Sequence, residues 1–260
     1  MIPLHDNLPT RRFPIVCILL IVANVLVFLL DQATSVNVPV VNQYGVPVGQ
    51  EAMGGLSLHY AMIPAYVTGH ATAHQLHLPL TLQPAWLTIF TAMFLHANWL
   101  HIGGNMLYLW IFGNNIEDAL GSVRFLLFYL ACGAGAAVVF IAGDPTATIP
   151  TLGASGAIAG VMGAYIYLFP RAQILNLIFL GFIVFFRELP ALIVIGFWIV
   201  LQVIDANLLR NGALAQGGGV AYLAHVGGFF TGLILIVLLG GRRLIASSPP
   251  PLPGAYDGEE

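Results

Sequence analysis

The chain has no lysine and very little charge of any kind. Asp, Glu, Lys and Arg together make up 7% of its 260 residues, against about 25% in an average soluble domain. A water-facing surface cannot be built from so few charges, which excludes a soluble globular protein. Disorder is excluded too, because it requires low hydrophobicity and high net charge; here 58% of residues are hydrophobic and the formal net charge is −3. No basic stretch exceeds two residues, so no nucleic-acid partner is expected. The two cysteines, Cys17 and Cys132, lie in apolar runs. They imply no disulfide framework and read as small buried hydrophobes. What remains is a polytopic membrane protein, whose few polar residues must carry the function.

A spanning helix needs about 20 mostly apolar residues. Six such stretches are expected, at about 13–30, 97–116, 125–142, 152–169, 191–209 and 222–239. The fold class that follows is an all-α membrane protein. All eight basic residues are arginines. With six spans both termini lie on one side. Arg11, Arg12, Arg124, Arg171, Arg187, Arg242 and Arg243 then share that side, and only Arg210 is opposite, as the positive-inside rule requires. Both termini are thus expected to be cytoplasmic. The apolar stretch Ile174–Phe186 is short for a span. A seventh crossing there would carry Arg187, Arg242 and Arg243 across, so it is expected to be an interfacial or re-entrant piece. The first run follows two arginines, yet no small-residue cleavage site comes promptly after it, so it is read as an uncleaved span. Residues 1–12 precede it as a cytoplasmic segment. Residues 31–84 carry no Arg or Lys and suit a first loop resting on the membrane. The Pro-rich, acidic tail within 241–260 is expected to be disordered.

Polar groups inside hydrocarbon are costly and so are functional candidates. Ser155 lies at the outer end of the fourth span, with Gly153 and Gly156 on either side leaving its hydroxyl unshielded. Taken alone it reads as a small residue at a helix contact. Read as a nucleophile, it has an unpaired backbone N–H near a helix start to stabilise an oxyanion. The hydrolase elbow G-x-S-x-G is excluded, because position 157 is alanine. His225, at the outer end of the sixth span, read alone is a core histidine; paired with Ser155 at similar depth it is a general base. Gly156 with Gly160, and Gly228 with Gly232, make two G-x-x-x-G spacings that let membrane helices touch backbone to backbone. His101 and Asn105 are four apart on one helix face and offer N–H donors to an oxyanion; the alternative is a polar stripe tying helices together. Zinc on His96, His101 and His225 lacks the H-E-x-x-H spacing. An aspartyl pair lacks a second carboxylate at the depth of Asp205. No metal or cofactor is expected.

Four ordered motifs, His96 to Asn105, Gly113-Asn114-Asn115-Ile116-Glu117 with Gly121, Gly153-Ala154-Ser155-Gly156, and Ala224-His225 with Gly228 and Gly232, resemble the rhomboid family of intramembrane serine proteases. The resemblance runs from about Trp86 to Gly232. It implies a compact rhomboid-type bundle of six transmembrane helices with a short fourth helix, and a serine endopeptidase acting on transmembrane protein substrates. Ser155 would be the nucleophile and His225 the base, a dyad without an acid. His101, Asn105 and the Ser155 N–H would form the oxyanion hole, and His96 would help order the loop above it. Glu117 would hold the loop after the second span. The rival is an inactive rhomboid-like protein that binds transmembrane clients uncut. Two positions depart from the family pattern. Trp86 is followed by Leu87, where many relatives carry arginine. Ala159 stands where an aromatic commonly stacks on the histidine, so the ring needs support from elsewhere. The bare six-span plan resembles a bacterial cell-membrane member.

Overall fold

The structure, a computed structural model, describes residues 1–41, 47–76, 84–210 and 221–246. A short strand β1 (Ile2–Asp6) precedes the apolar helix α1 (Ile15–Ala33). The first loop then forms strands β2 (Val36–Val41) and β3 (Pro47–Met53) and the short helices α2 (Gly55–Tyr60), α3 (Pro64–Val67) and α4 (Thr88–Thr91). Next come α5 (Trp99–Tyr108), a π-helical turn at Leu109–Gly113, and α6 (Asn114–Leu120), which follow one another without a break. Helix α7 (Ser122–Gly143), helix α8 (Ser155–Leu168), strands β4 (Gln173–Leu180) and β5 (Ile183–Pro190), and helices α9 (Ala191–Arg210), α10 (Tyr222–Leu238) and α11 (Arg243–Ala246) complete it.

Three helices, Ile15–Ala33, Ser122–Gly143 and Ala191–Leu208, are long and apolar enough to cross a bilayer. Ser155–Leu168 and Tyr222–Leu238 are apolar but shorter. Helix α8 is the hub. Every residue from Ala157 to Tyr165 is buried, as expected of a helix apolar all round. It is packed against α7 and α10. Glycine makes the close approach possible, since a Cβ on Gly228 would stand 2.0 Å from the Gly156 carbonyl oxygen and one on Gly232 2.0 Å from that of Gly160. Outward faces stay apolar, with Leu26, Leu127, Phe197 and Leu238 exposed. Exposed apolar side chains on the long helices suit lipid.

Local chemistry fixes the ends. Glu117 accepts from the N–H groups of Val16 at 3.0 Å and Cys17 at 2.7 Å, in the first turn of α1, and from Ser122 Oγ at 2.6 Å. A carboxylate there satisfies orphan donors and suits the helix dipole. At the far end of α1, buried Asp31 accepts from Ser57 N at 2.8 Å and Ser57 Oγ at 2.7 Å, which ties the first loop down. Gly121 sits at φ +77 between α6 and α7, a conformation that favours glycine.

The all-α expectation is corrected. Antiparallel strands form a sheet in the order β1-β4-β5 and a separate pair β2-β3. The stretch 174–186 is most of a hairpin, turning at Gly181 with φ +62. The reason lies in the residues: thirteen cannot span, the run is rich in Ile, Val and Phe, and pairing two strands satisfies backbone groups that one short apolar strand leaves open. The first loop is likewise partly strand and partly short helix. The tail beyond residue 246 lies outside the described residues.

Candidate active site

The site is assembled at the α8 end that carries Ser155. Strain and pairing prepare that end. Thr151 and Met62 exchange two backbone hydrogen bonds of 2.7 and 3.0 Å, and Gly153 N–H donates to Ala92 O at 2.8 Å. Gly153 itself has φ +129, where a side chain is strained. Ala154 caps the helix, so Ser155 is its first residue. Its own N–H belongs to the four that a helix leaves unpaired.

His225 is the fourth residue of α10 and is buried. Its Nε2 lies 2.8 Å from Ser155 Oγ. The two groups are 70 positions apart in sequence, and the glycine contacts between α8 and α10 bring them within hydrogen-bond reach. Nδ1 lies 2.7 Å from Oε1 of Gln202 on α9, also buried. Trp198, one turn earlier on α9, places its ring 5.6 Å from the imidazole centroid at an interplanar angle of 37°. Neither α9 residue was among the sequence candidates. The signal existed, because a lone glutamine within an apolar span is itself a functional candidate, and Trp198 and Gln202 at a spacing of four share a face. Together they give the imidazole the support that Ala159 does not.

His101 and Asn105 come from α5, whose start is capped by Asn98 accepting the His101 N–H at 2.9 Å. His101 Nδ1 is 3.4 Å from the Ala97 N–H, and accepting that donor places the ring proton on Nε2. That nitrogen faces the hollow beside Gly153: a Cβ there would stand 2.9 Å from His101 Nε2 and 3.6 Å from Ser155 Oγ. Asn105 is buried, and its Nδ2 has no hydrogen-bond partner. A buried amide donor without a partner is uncommon. His96 is fully buried and packs edge-on against His101, with centroids 5.1 Å apart. Gly156 and Gly160 face α7 and α10, where a Cβ would stand 2.7 Å from Ala136 Cβ and 2.4 Å from Cys132 Cβ. A small pocket adjoins Ser155, lined by small or apolar residues including Met62, Met93, Gly133, Ala136, Gly153 and Gly156. Among the described residues no three His, Cys, Asp or Glu side chains gather as a metal site.

Fold and site define a helical integral membrane protein holding a hydroxyl–imidazole pair at one end of its central helix. The Rhomboid domain pattern matches residues 83–242, and the chain belongs to the rhomboid family. It is 31% identical over 154 residues to Rhomboid protein 1, mitochondrial, of Saccharomyces cerevisiae, covering 57% of this chain and 40% of that protein. With Rhomboid-like protein 11, chloroplastic, of Arabidopsis thaliana it shares 31% identity over 159 residues, 59% of this chain and 52% of the relative. Rhomboid protease GluP of Bacillus subtilis is 40% identical over 85 residues, 33% of this chain and 16% of the relative. The chain thus matches about half or less of these relatives' lengths.

Proposed function

We propose that the protein is an intramembrane serine endopeptidase that cleaves peptide bonds in or near transmembrane segments of other membrane proteins. The observation that carries this reading is the 2.8 Å approach of His225 Nε2 to Ser155 Oγ at the start of a helix. Membership of a family that includes a relative named as a protease supports it. The arginine distribution supports a six-span arrangement with both termini cytoplasmic. The named relatives are mitochondrial, chloroplastic and bacterial, so the compartment does not follow from kinship.

A substrate helix must first unwind, because its hydrogen-bonded carbonyls are shielded. Ser155 Oγ then bonds to the carbonyl carbon as its proton passes to His225 Nε2. The oxyanion is held by the Ser155 N–H, His101 Nε2–H and Asn105 Nδ2–H. The C–N bond breaks when His225 gives that proton to the leaving amine. Water, deprotonated by His225, attacks the acyl-enzyme and releases the carboxylate and the serine hydroxyl.

The test incubates purified wild type, Ser155→Ala and Asn105→Ala in detergent with a membrane-spanning peptide carrying Gly or Pro near one end. Wild type should cleave it and react at Ser155 with a fluorophosphonate, while Ser155→Ala should do neither. Asn105→Ala should lose about 10²–10³-fold in rate. Equal behaviour of wild type and Ser155→Ala would refute the protease and leave a client-binding role.

A further inference from the structure

We propose that Gln202 is a positioning residue that fixes the tautomer of His225, so that the site works as a Ser–His–Gln relay. This rests on the reading of Ser155 and His225 as the reacting pair. Gln202 is 8% exposed on a helix whose neighbours Val200, Leu201, Val203 and Ile204 are exposed and apolar. A carboxamide facing into such a bundle is costly unless it is hydrogen-bonded. Its oxygen meets His225 Nδ1 at 2.7 Å. A carboxamide oxygen only accepts, so Nδ1 carries the ring proton and Nε2 keeps its lone pair toward Ser155 Oγ. With the amide reversed, Nδ1 would accept, Nε2 would be protonated, and Ser155 would face a donor with no base to take its proton. The orientation of this one side chain therefore decides whether the pair can react.

The step needs no third ionisable group. As Oγ attacks, its proton moves to Nε2, and the resulting imidazolium keeps its Nδ1–H on the Gln202 oxygen. The dipole of the amide stabilises that cation, and Trp198 at 5.6 Å limits ring rotation. A carboxylate at 202 would do the first task more strongly and raise the proton affinity of the ring. Few other ionisable groups bear on it. His101 faces from α5. Asp205 lies on α9 one turn from Gln202, and Tyr222 on α10 one turn from His225. Helix α7 presents Gly135, Ala136 and Val139 to α10, and the tyrosines of α8, Tyr165 and Tyr167, stand at its opposite end.

The experiment compares full-length wild type, Gln202→Leu, Gln202→Glu and Ser155→Ala in detergent, with thermal unfolding confirming that each is folded. Gln202→Leu should lower kcat by about 10²-fold with KM unchanged. Gln202→Glu should recover most of that rate and move the acid limb of the kcat/KM profile to higher pH. In parallel, ¹⁵N-histidine spectra, with the His225 signal assigned by its loss in His225→Ala, should show Nδ1–H in wild type and a mixture in Gln202→Leu. Wild-type kcat and pH profile in Gln202→Leu would overturn the proposal, as would an Nε2–H tautomer in the wild type. Cleavage by Ser155→Ala would refute the reacting pair, and the nitrogen spectra would still decide the role of Gln202.

Discussion

Alanine at Gly228 tests how the helices hold the site. The added Cβ would stand 2.0 Å from the Gly156 carbonyl oxygen, while ordinary contact begins at 3.4 Å. Helix α10 must therefore move from α8 by about 1.4 Å, since a Cβ is fixed by its own backbone and a backbone carbonyl inside a helix cannot rotate away. Overpacking of this kind costs about 1–3 kcal/mol. The displacement also falls on the chemistry, because Gly228 is three residues from His225 and Gly156 is adjacent to Ser155. The 2.8 Å Ser155–His225 contact would open to roughly 4 Å, beyond the reach of a general base. A misplacement of about 1 Å is worth about 10²-fold in rate. We expect Gly228→Ala to remain folded, with a lowered unfolding midpoint, and to lose about two orders of magnitude in cleavage and in fluorophosphonate reactivity. Gly196→Ala is the control, since a Cβ there meets nothing within 4 Å. Full activity in Gly228→Ala would refute the claim that backbone contact between α8 and α10 sets the spacing of the pair.

Two further predictions concern the end of the bundle opposite the site. Glu117→Ala leaves the N–H groups of Val16 and Cys17 and the Ser122 hydroxyl without their acceptor, and should cost about 3 kcal/mol in thermal unfolding while kcat per folded molecule stays unchanged; an unaltered midpoint would contradict this. Asp6 accepts from Tyr165 Oη and, at 2.7 Å, from Asn115 Nδ2, and burial raises its carboxyl from 3.8 to about 6. Because the folded value is the higher, its contribution is fully present below pH 3.8 and is lost as pH rises through 6. Water still reaches the group and screens it, so the unfolding free energy should fall by about 1–2 kcal/mol across that window. Asp6→Asn should flatten the fall, and parallel curves for the two proteins would count against this account.

Much of the site was legible because membranes make polar residues conspicuous. Ser155, His225, His101 and Asn105 stood out as polar groups in apolar runs, and glycine spacing pointed to close helix contact. Gln202 carries the same signal, but one amide on one apolar helix does not say which neighbour it faces. The hairpin at 173–190 was hidden for another reason. Periodicity does not separate a short apolar strand from a short apolar helix piece, and only pairing with β1 distinguishes them.

The sequence by itself determined that this is a membrane protein and that its long apolar runs are helical, because the free energy of placing a segment in lipid follows from its length and its residues. Only the tertiary structure decided that α8 and α10 touch at Gly156 and Gly228, that a third helix supplies Gln202 and Trp198 to the imidazole, and that one apolar stretch folds as strands. Those outcomes depend on which surfaces meet, and a linear order of residues does not contain that choice.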